Sequence, residues 1–289
     1  MVADANASPK DASMIFVTGA TGNVGRELVR VLSEAGEPVR ALIRGQTELP
    51  EGVEGYVGDL NDAGSLAGAL DGVRATHLLA GYDGLGELLA AMRAAGVQRV
   101  TLQSSSAAPG GDTANAVARY HILSERAIRD SGLAWTFLQP NSFMTNALRW
   151  LPQLRAGDTI RLPFADVPIA MIDPADIAEV AAAALTTDRH EGRAYRLSGP
   201  ESLLPAEQVA ILGEAIGRDL RFEAQSNEDA HAEMSASMPA EYVEAFFDFF
   251  VAGSIDESTV RPTVEEVLGR PPRRFADWAR EHAAAFKTP

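Results

Sequence analysis

Residues 16–32 read FVTGATGNVGRELVRVL: a β-branched apolar run, three glycines at three-residue spacing, then an amphipathic helical pattern. A strand that must turn at once into a helix leaves few architectures open. Gly19 permits the tight turn, Gly22 lets a pyrophosphate approach the backbone, and Gly25 lets helix and strand pack closely. The free N–H groups and positive dipole end of the helix then suit a dinucleotide, with Thr21, Asn23 and Val24 completing the loop. The competing reading is a glycine-rich turn that holds no ligand.

The same alternation continues along the chain. The runs PVRALIR, VEGYVGD, ATHLLAG, RVTLQSS and LAWTFLQP read as strands. Between them NVGRELVRVLSEAG, SLAGALDG, LGELLAAMRAAGV and VARYHILSERAIRDSG read as helices, the first with Val24, Leu28, Val31 and Leu32 on one face. Strands alternating with helices predict βαβ units, right-handed crossovers and a doubly wound parallel α/β sheet of the Rossmann type. From about Trp150 the rhythm loosens. PIAMIDPADIAEVAAAALTT predicts a strand, a tight turn and a helix, and AYRLSGP one further strand returning to the sheet. The expected organisation is a disordered tail over 1–13 and a dinucleotide-binding core over 14–150 with a returning segment at about 168–200. A smaller, mostly helical substrate region is interleaved with it at 151–167 and 201–289.

Composition narrows the function. At 289 residues and 46% hydrophobic, the chain can bury a sizeable core. A formal charge of -15 argues against nucleic acid as a partner, though backbone N–H groups can hold phosphate without basic side chains. With no cysteine, disulfides, iron–sulfur clusters and thiol catalysis are excluded. The N-terminus has no apolar segment of a signal peptide and no run is long enough to span a membrane, so a soluble cytoplasmic protein is expected. The excess of arginine over lysine and the abundant alanine point to a bacterial, GC-rich source.

About 20 residues past the glycine loop, a site for NAD would carry a carboxylate for the ribose hydroxyls. Here the second strand ends in Arg44, whose guanidinium pairs with a 2′-phosphate, so NADP(H) is expected over NAD(H). The alternative is a solvated strand-end charge. Asp59 in GDLND sits where a carboxylate accepts from an adenine amino group, with Leu60 packing on the ring. Ala80 and Gly81, ending the fourth strand, are further cofactor candidates. Ser104, Ser105 and Ser106 close the fifth strand at the carboxyl edge of the sheet, with no G-x-S-x-G elbow to suggest a hydrolase.

TGATGNVGR, the arginine-ended second strand, GDLND, SGLAWTFLQPNSFMTN, MIDPADIAEVAAAAL, YRLSGPESL and GRPPRRFADWAREHAAAF together resemble the NmrA-like branch of the atypical short-chain dehydrogenase/reductases. The likeness runs from about Met14 to Phe286. It implies an NADPH-dependent reductase of quinones, dyes or isoflavonoid-type compounds, or a member that binds the dinucleotide as a redox sensor without turnover. Ser104 or Ser105 then resembles the strand-end serine that bonds the nicotinamide ribose or the substrate oxygen. Pro140, Asn141 and Phe143 resemble the segment along the nicotinamide face.

The catalytic pattern departs from the wider family, whose Tyr-x-x-x-Lys places proton donor and lysine on the helix after the fifth strand. His121 stands at the lysine place and Val117 at the tyrosine place, while Tyr120 is offset by one position from the expected ring. The proton relay is therefore absent. His121 is expected to hydrogen-bond a ribose hydroxyl and to titrate near neutral pH, or else to be an ordinary helix histidine. His121 and Glu125 are spaced as a metal pair would be, but no third ligand accompanies them and no metal is expected. In MPAEYVEAFFDFFVAG, Met238, Tyr242, Phe246 and Phe249 form one helical stripe flanked by Phe247 and Phe250. It reads as core or as a lid over an apolar pocket, made adaptable by Met234 and Met238.

These features favour reduction of an apolar conjugated substrate, a quinone or polycyclic aromatic ketone, with His121, Ser105 and Tyr120 as candidate catalytic residues. A non-catalytic NADP(H) sensor and a redox-neutral biosynthetic enzyme remain the alternatives, and the oligomeric state is open.

Overall fold

The computed structural model describes residues 13–287, so all of the expected tail but Ser13 lies outside the described residues. Its elements are β1 (Met14–Val17), α1 (Asn23–Glu34), β2 (Val39–Ile43), β3 (Glu54–Val57), β4 (Val73–Leu79), α2 (Leu85–Ala94), β5 (Arg99–Gln103), α3 (Ala116–Ser131) and β6 (Ala134–Pro140). There follow α4 (Leu151–Ala156), β7 (Thr159–Leu162), α5 (Pro174–Thr186), β8 (Arg193–Leu197), α6 (Pro205–Ile216), β9 (Arg221–Ala224), α7 (Asn227–Ser235) and α8 (Ala240–Phe250). The chain closes on α9 (Thr263–Leu268), α10 (Phe275–Glu281) and α11 (Ala283–Lys287).

The main sheet has the order β3-β2-β1-β4-β5-β6-β8, and the pairs β2–β3, β1–β2, β1–β4, β4–β5 and β5–β6 are all parallel. The order reverses at β1, whose neighbours are β2 and β4, and the crevice at such a reversal is where doubly wound sheets take ligands. Strands buried on both faces need continuous apolar runs, and all five residues of β2 are buried. α1 buries Val24, Leu28, Val29 and Leu32; Val31, expected on that face, is only half-buried and Val29 takes its place. The helix stops at Gly36, which adopts a left-handed φ of 77°.

The chain divides into two compact units. Among the described residues, the first comprises 13–104 with Leu123–Leu138 and Ala178–Ala194; the second comprises Ser105–Ile122, Gln139–Ile177 and 195–287. The first has its own core, from Phe16, Leu66, Leu70 and Leu78 to Ile128 and Phe137. The second gathers Met144, Trp150, Ile160, Leu212, Phe275 and Trp278.

The short helix expected at SLAGALDG is a 3-10 helix, Ala63–Leu70, started by the Asp62 carboxylate accepting from Gly64 and Ser65 N–H. One local expectation is corrected. PIAMI is not a strand. Ile169 bridges Leu203 antiparallel while Ile172 bridges Phe143 parallel, so successive residues never pair with one partner long enough to form a ladder. The second unit instead holds a two-stranded parallel sheet of β7 and β9, each four residues long, which the pattern did not reveal.

Candidate functional site

In the first unit, the glycine loop is built as its spacing demands. Gly19 has φ 62°, and a Cβ there would stand 2.5 Å from a Leu79 methyl. A Cβ on Gly25 would stand 2.1 Å from the Gly19 carbonyl oxygen, so helix and loop approach only because both residues are glycine. Gly22 meets nothing closer than that same carbonyl at 3.2 Å, and its other side opens into a cleft. The cleft holds about 430 Å³, and its lining includes Gly19, Thr21, Gly22, Arg44, Asp59, Leu60 and Asn61. That volume suits part of a dinucleotide. Arg44 is exposed and has no ion pair or hydrogen bond among the described residues. Asp59 Oδ1 accepts from the Asn61 backbone N–H at 2.9 Å, which orients the carboxylate at the rim. Leu60 is buried. Asn23 is exposed, while Val24 points into the core.

Two cleft features escaped the sequence reading. Gly58 and Tyr82 also line the cleft, and a Cβ at Gly58 would meet Leu66 at 2.7 Å. Beneath it, buried Thr18 joins the ends of β1 and β4, its hydroxyl donating to the His77 carbonyl and accepting from Leu79 N–H. Half-buried Ala80 packs on the core, and Gly81, at φ 92°, donates its N–H to Ser124 Oγ.

Ser104 is buried and its hydroxyl donates to Glu125 Oε1 at 2.6 Å. Glu125 also accepts from Arg129, whose guanidinium lies over the rings of Trp135 and Phe137. The Ser104 proton is thereby committed inside the first unit. Glu125 serves this contact, and among the described residues no group of three or more His, Cys, Asp or Glu is arranged to hold a metal.

In the second unit, Ser106 donates to the buried carboxylate of Glu257 at 2.7 Å. Ser105 is half-buried, and its Oγ accepts from Ala107 N–H at 3.2 Å, leaving its own proton without an acceptor among the described residues. Pro140 and Asn141 are buried; the Asn141 amide points inward, donating to the backbone carbonyls of Glu257 and Ala170. Phe143 is half-buried and bridges Ile172.

His121 differs from its expected behaviour. Burial pushes its pKa down to about 4, so the imidazole is neutral at neutral pH, and its Nδ1 is buried with no partner among the described residues. The Tyr120 ring lies 4.2 Å from it, and burial, with a smaller contribution from Tyr242, raises the Tyr120 phenol above its ordinary value. Tyr120 is therefore a weaker acid than usual. Val117, at the place of the family tyrosine, packs with Ala107, Ala118 and Phe249.

The aromatic stripe is rotated from the expected one. Met238 precedes α8, whose buried residues are Val243, Ala245 and Phe249, while Tyr242, Phe246, Phe247 and Phe250 are half-buried. Asn115 fixes this rotation by donating to the Ala245 carbonyl and to Asp248. Phe246 and Phe250, like Val117 and Ile122, pack against the buried cluster of Ala107, Ala118 and Phe249, and Phe164 adds its ring at 5.1 Å from Phe250. Phe164 holds φ 56°, a strained conformation for a residue with a Cβ.

Residues 11–273 match the model of the NmrA-like family. The chain belongs to the NmrA-like family. It is 42% identical over 280 residues, 94% of this chain and 99% of the relative, to a (4-alkanoyl-5-oxo-2,5-dihydrofuran-3-yl)methyl phosphate reductase of Streptomyces griseus. It is 35% identical, over 94% and 99% of the two chains, to an NAD(P)H azoreductase of Xenophilus azovorans. Among solved structures, the NADPH-dependent quinone oxidoreductase of Escherichia coli complexed with NADPH superposes with a TM-score of 0.76 at 24% identity, covering 93% of this chain and 99% of that one. At that identity the likeness is one of fold. Among the described residues no helix is long and apolar enough to cross a membrane.

Proposed function

We propose that this NmrA-like protein is an NADPH-dependent reductase of an apolar conjugated acceptor, a quinone or polycyclic aromatic ketone; the Streptomyces relative's name refers to a conjugated lactone that carries a phosphate ester, which makes butenolides a second acceptor class to test. The observation that carries the reading is the cleft of the first unit. Its lining joins the glycine loop to the Arg44 guanidinium, which has no partner among the described residues and stands at the strand end where an NAD site holds a carboxylate. Gly19, Thr21, Gly22 and the α1 N-terminus hold the pyrophosphate, Arg44 the 2′-phosphate, and Asp59 with Leu60 the adenine. Ala80, Gly81 and Ser104 follow along the strand ends. When bound, NADPH supplies a hydride, and the acceptor gains that hydride and one proton.

The proton needs no strong acid. A hydride added to a quinone, or to a C=C bond conjugated with a carbonyl, leaves a delocalised oxyanion that water can protonate. Ser105 is the serine of its run whose proton has no acceptor among the described residues, and it donates a hydrogen bond to that oxygen. His121, neutral and with an unpartnered buried Nδ1, anchors a ribose hydroxyl and does not act as the acid. Tyr120 backs the imidazole with its ring and keeps its proton. The half-buried rings of Phe164, Phe246 and Phe250 supply apolar contact for the acceptor.

NADPH consumption against quinones, azo dyes and butenolides tests this. Turnover with at least one class and a preference for NADPH over NADH is expected. Tight NADPH binding without turnover of any acceptor would overturn it in favour of a sensor.

A further inference from the structure

Glu257 belongs to no motif of the sequence and lies 151 residues from Ser106. It enters the interior because its neighbour organises the loop around it. Asp256 accepts from the N–H and hydroxyl groups of both Ser258 and Thr259 and pairs with Arg261, and these bonds hold its carboxyl down at a pKa of about 2. That turn faces one carboxylate outward and drives the next one in, where it is 7% exposed.

Inside, the Glu257 carboxylate bonds the segments after β5 and β6. Oε1 accepts from Ser106 Oγ at 2.7 Å and from Ser142 N–H at 3.0 Å, and Oε2 accepts from Ser142 Oγ at 2.6 Å. Its carbonyl accepts from Asn141 Nδ2 at 2.9 Å and Ala170 N–H at 2.7 Å. Ser106 N–H in turn donates to the Pro140 carbonyl at 2.9 Å, so the segments after β5 and β6 are tied to each other and to one residue. Burial pushes the Glu257 carboxyl up from its ordinary value, against the bonds from Ser106 and Ser142 that favour its charged form; in that form it can only accept, and both serine hydroxyls give it their protons.

We propose that Glu257 is a positioning residue for the reduction: by consuming the protons of Ser106 and Ser142 it fixes the segments on which Ser105 and Phe143 sit, and leaves Ser105 as the donor. The inference rests on the reductase reading above. The residues Glu257 bonds lie in the second unit, and those that line the dinucleotide cleft lie in the first.

The test compares Glu257→Ala and Glu257→Gln with the wild type in three readouts: NADPH affinity, kcat and KM for a conjugated acceptor, and amide hydrogen exchange at Ser105–Ala108 and Ser142–Met144. Glu257→Ala should keep NADPH affinity within about two-fold, lower kcat at least about 10-fold, as the loss of charge-assisted hydrogen bonds would, and speed exchange at both segments. Glu257→Gln keeps an acceptor for Ser142 and the shape of the side chain, and should recover most of kcat. Should Glu257→Ala not fold, Ser106→Ala and Ser142→Ala each remove one of the same bonds, and both should lower kcat without lowering NADPH affinity. Unchanged kcat and exchange in the alanine variants, or a parallel loss of NADPH binding, would overturn the proposal. A wild-type protein that reduces no acceptor refutes the reductase reading instead, and exchange at the two segments then still decides whether Glu257 fixes them.

Discussion

The glycine cleft and the strand-end cluster both stand at the carboxyl ends of parallel strands, yet they are made of opposite materials. The cleft is lined by residues between Gly19 and Tyr82, and its defining surface is backbone shaped by missing side chains. The cluster around Ser106 and Ser142 is made of side chains, and its centre, Glu257, arrives from more than a hundred residues away. A site built from local backbone geometry tolerates little change in its glycines but much around them. One built from distant side chains is sensitive wherever a hydrogen bond must be kept. Ligand holding and acceptor handling should therefore be separable by mutation.

The largest expected effect sharpens that contrast within the loop itself. Gly25→Ala puts a methyl group 2.1 Å from the Gly19 carbonyl, which no rotamer can avoid, and should cost about 3 kcal/mol or more of stability together with NADPH binding. Gly22→Val meets the same carbonyl only at 3.2 Å and should remain folded while losing the dinucleotide. Urea unfolding and NADPH titration of both variants check this; a folded Gly22→Val that binds NADPH as the wild type does would remove the ligand from the cleft.

Arg44→Ala comes next. Losing one charge-assisted contact should weaken NADPH by about 1.5–3 kcal/mol and leave NADH nearly unchanged. Equal wild-type affinities for the two dinucleotides would break the assignment. Ser105→Ala should then lower kcat by roughly 10-fold with NADPH affinity retained, as one lost neutral donor to a developing oxyanion would. Ser104→Ala should instead act on stability, because its hydroxyl already serves Glu125. If Ser104→Ala lowered kcat more than Ser105→Ala, the two serines would have to exchange roles.

The smallest effect concerns His121. One hydrogen bond of about 1 kcal/mol makes His121→Ala a several-fold loss in productive cofactor binding. The sign of its pH dependence is fixed by burial: the imidazole gains a proton only as pH falls toward about 4, so it is neutral from pH 6 to 8. The wild-type kcat profile should show no step between pH 6 and 7. A step there, abolished by His121→Ala, would make the histidine the acid.

How much of this could be read beforehand follows from the same contrast. The glycine loop, the doubly wound core and the strand-end places of Arg44 and Asp59 along the cleft were legible because each depends on residues adjacent in sequence or on a repeated strand–helix period. Glu257 was not, since a glutamate in a polar stretch carries no sign of burial until Asp256 turns it inward. The near-neutral titration expected of His121 failed because desolvation depends on what packs around α3, which no local pattern reports. The orientation of α8 failed likewise: its five aromatic residues outnumber the positions one face can bury, and Asn115, far back in the chain, selects which of them go in. The strands β7 and β9 are too short for a period of two to stand out.

The most direct test of the account is a single turnover: protein saturated with NADPH, mixed anaerobically with an excess of a quinone or butenolide acceptor, with cofactor absorbance and reduced product followed together. The account predicts that bound NADPH is oxidised with one acceptor reduced per cofactor, and that Ser105→Ala slows this step without releasing the cofactor. Bound NADPH that stays reduced in the presence of every conjugated acceptor would contradict it.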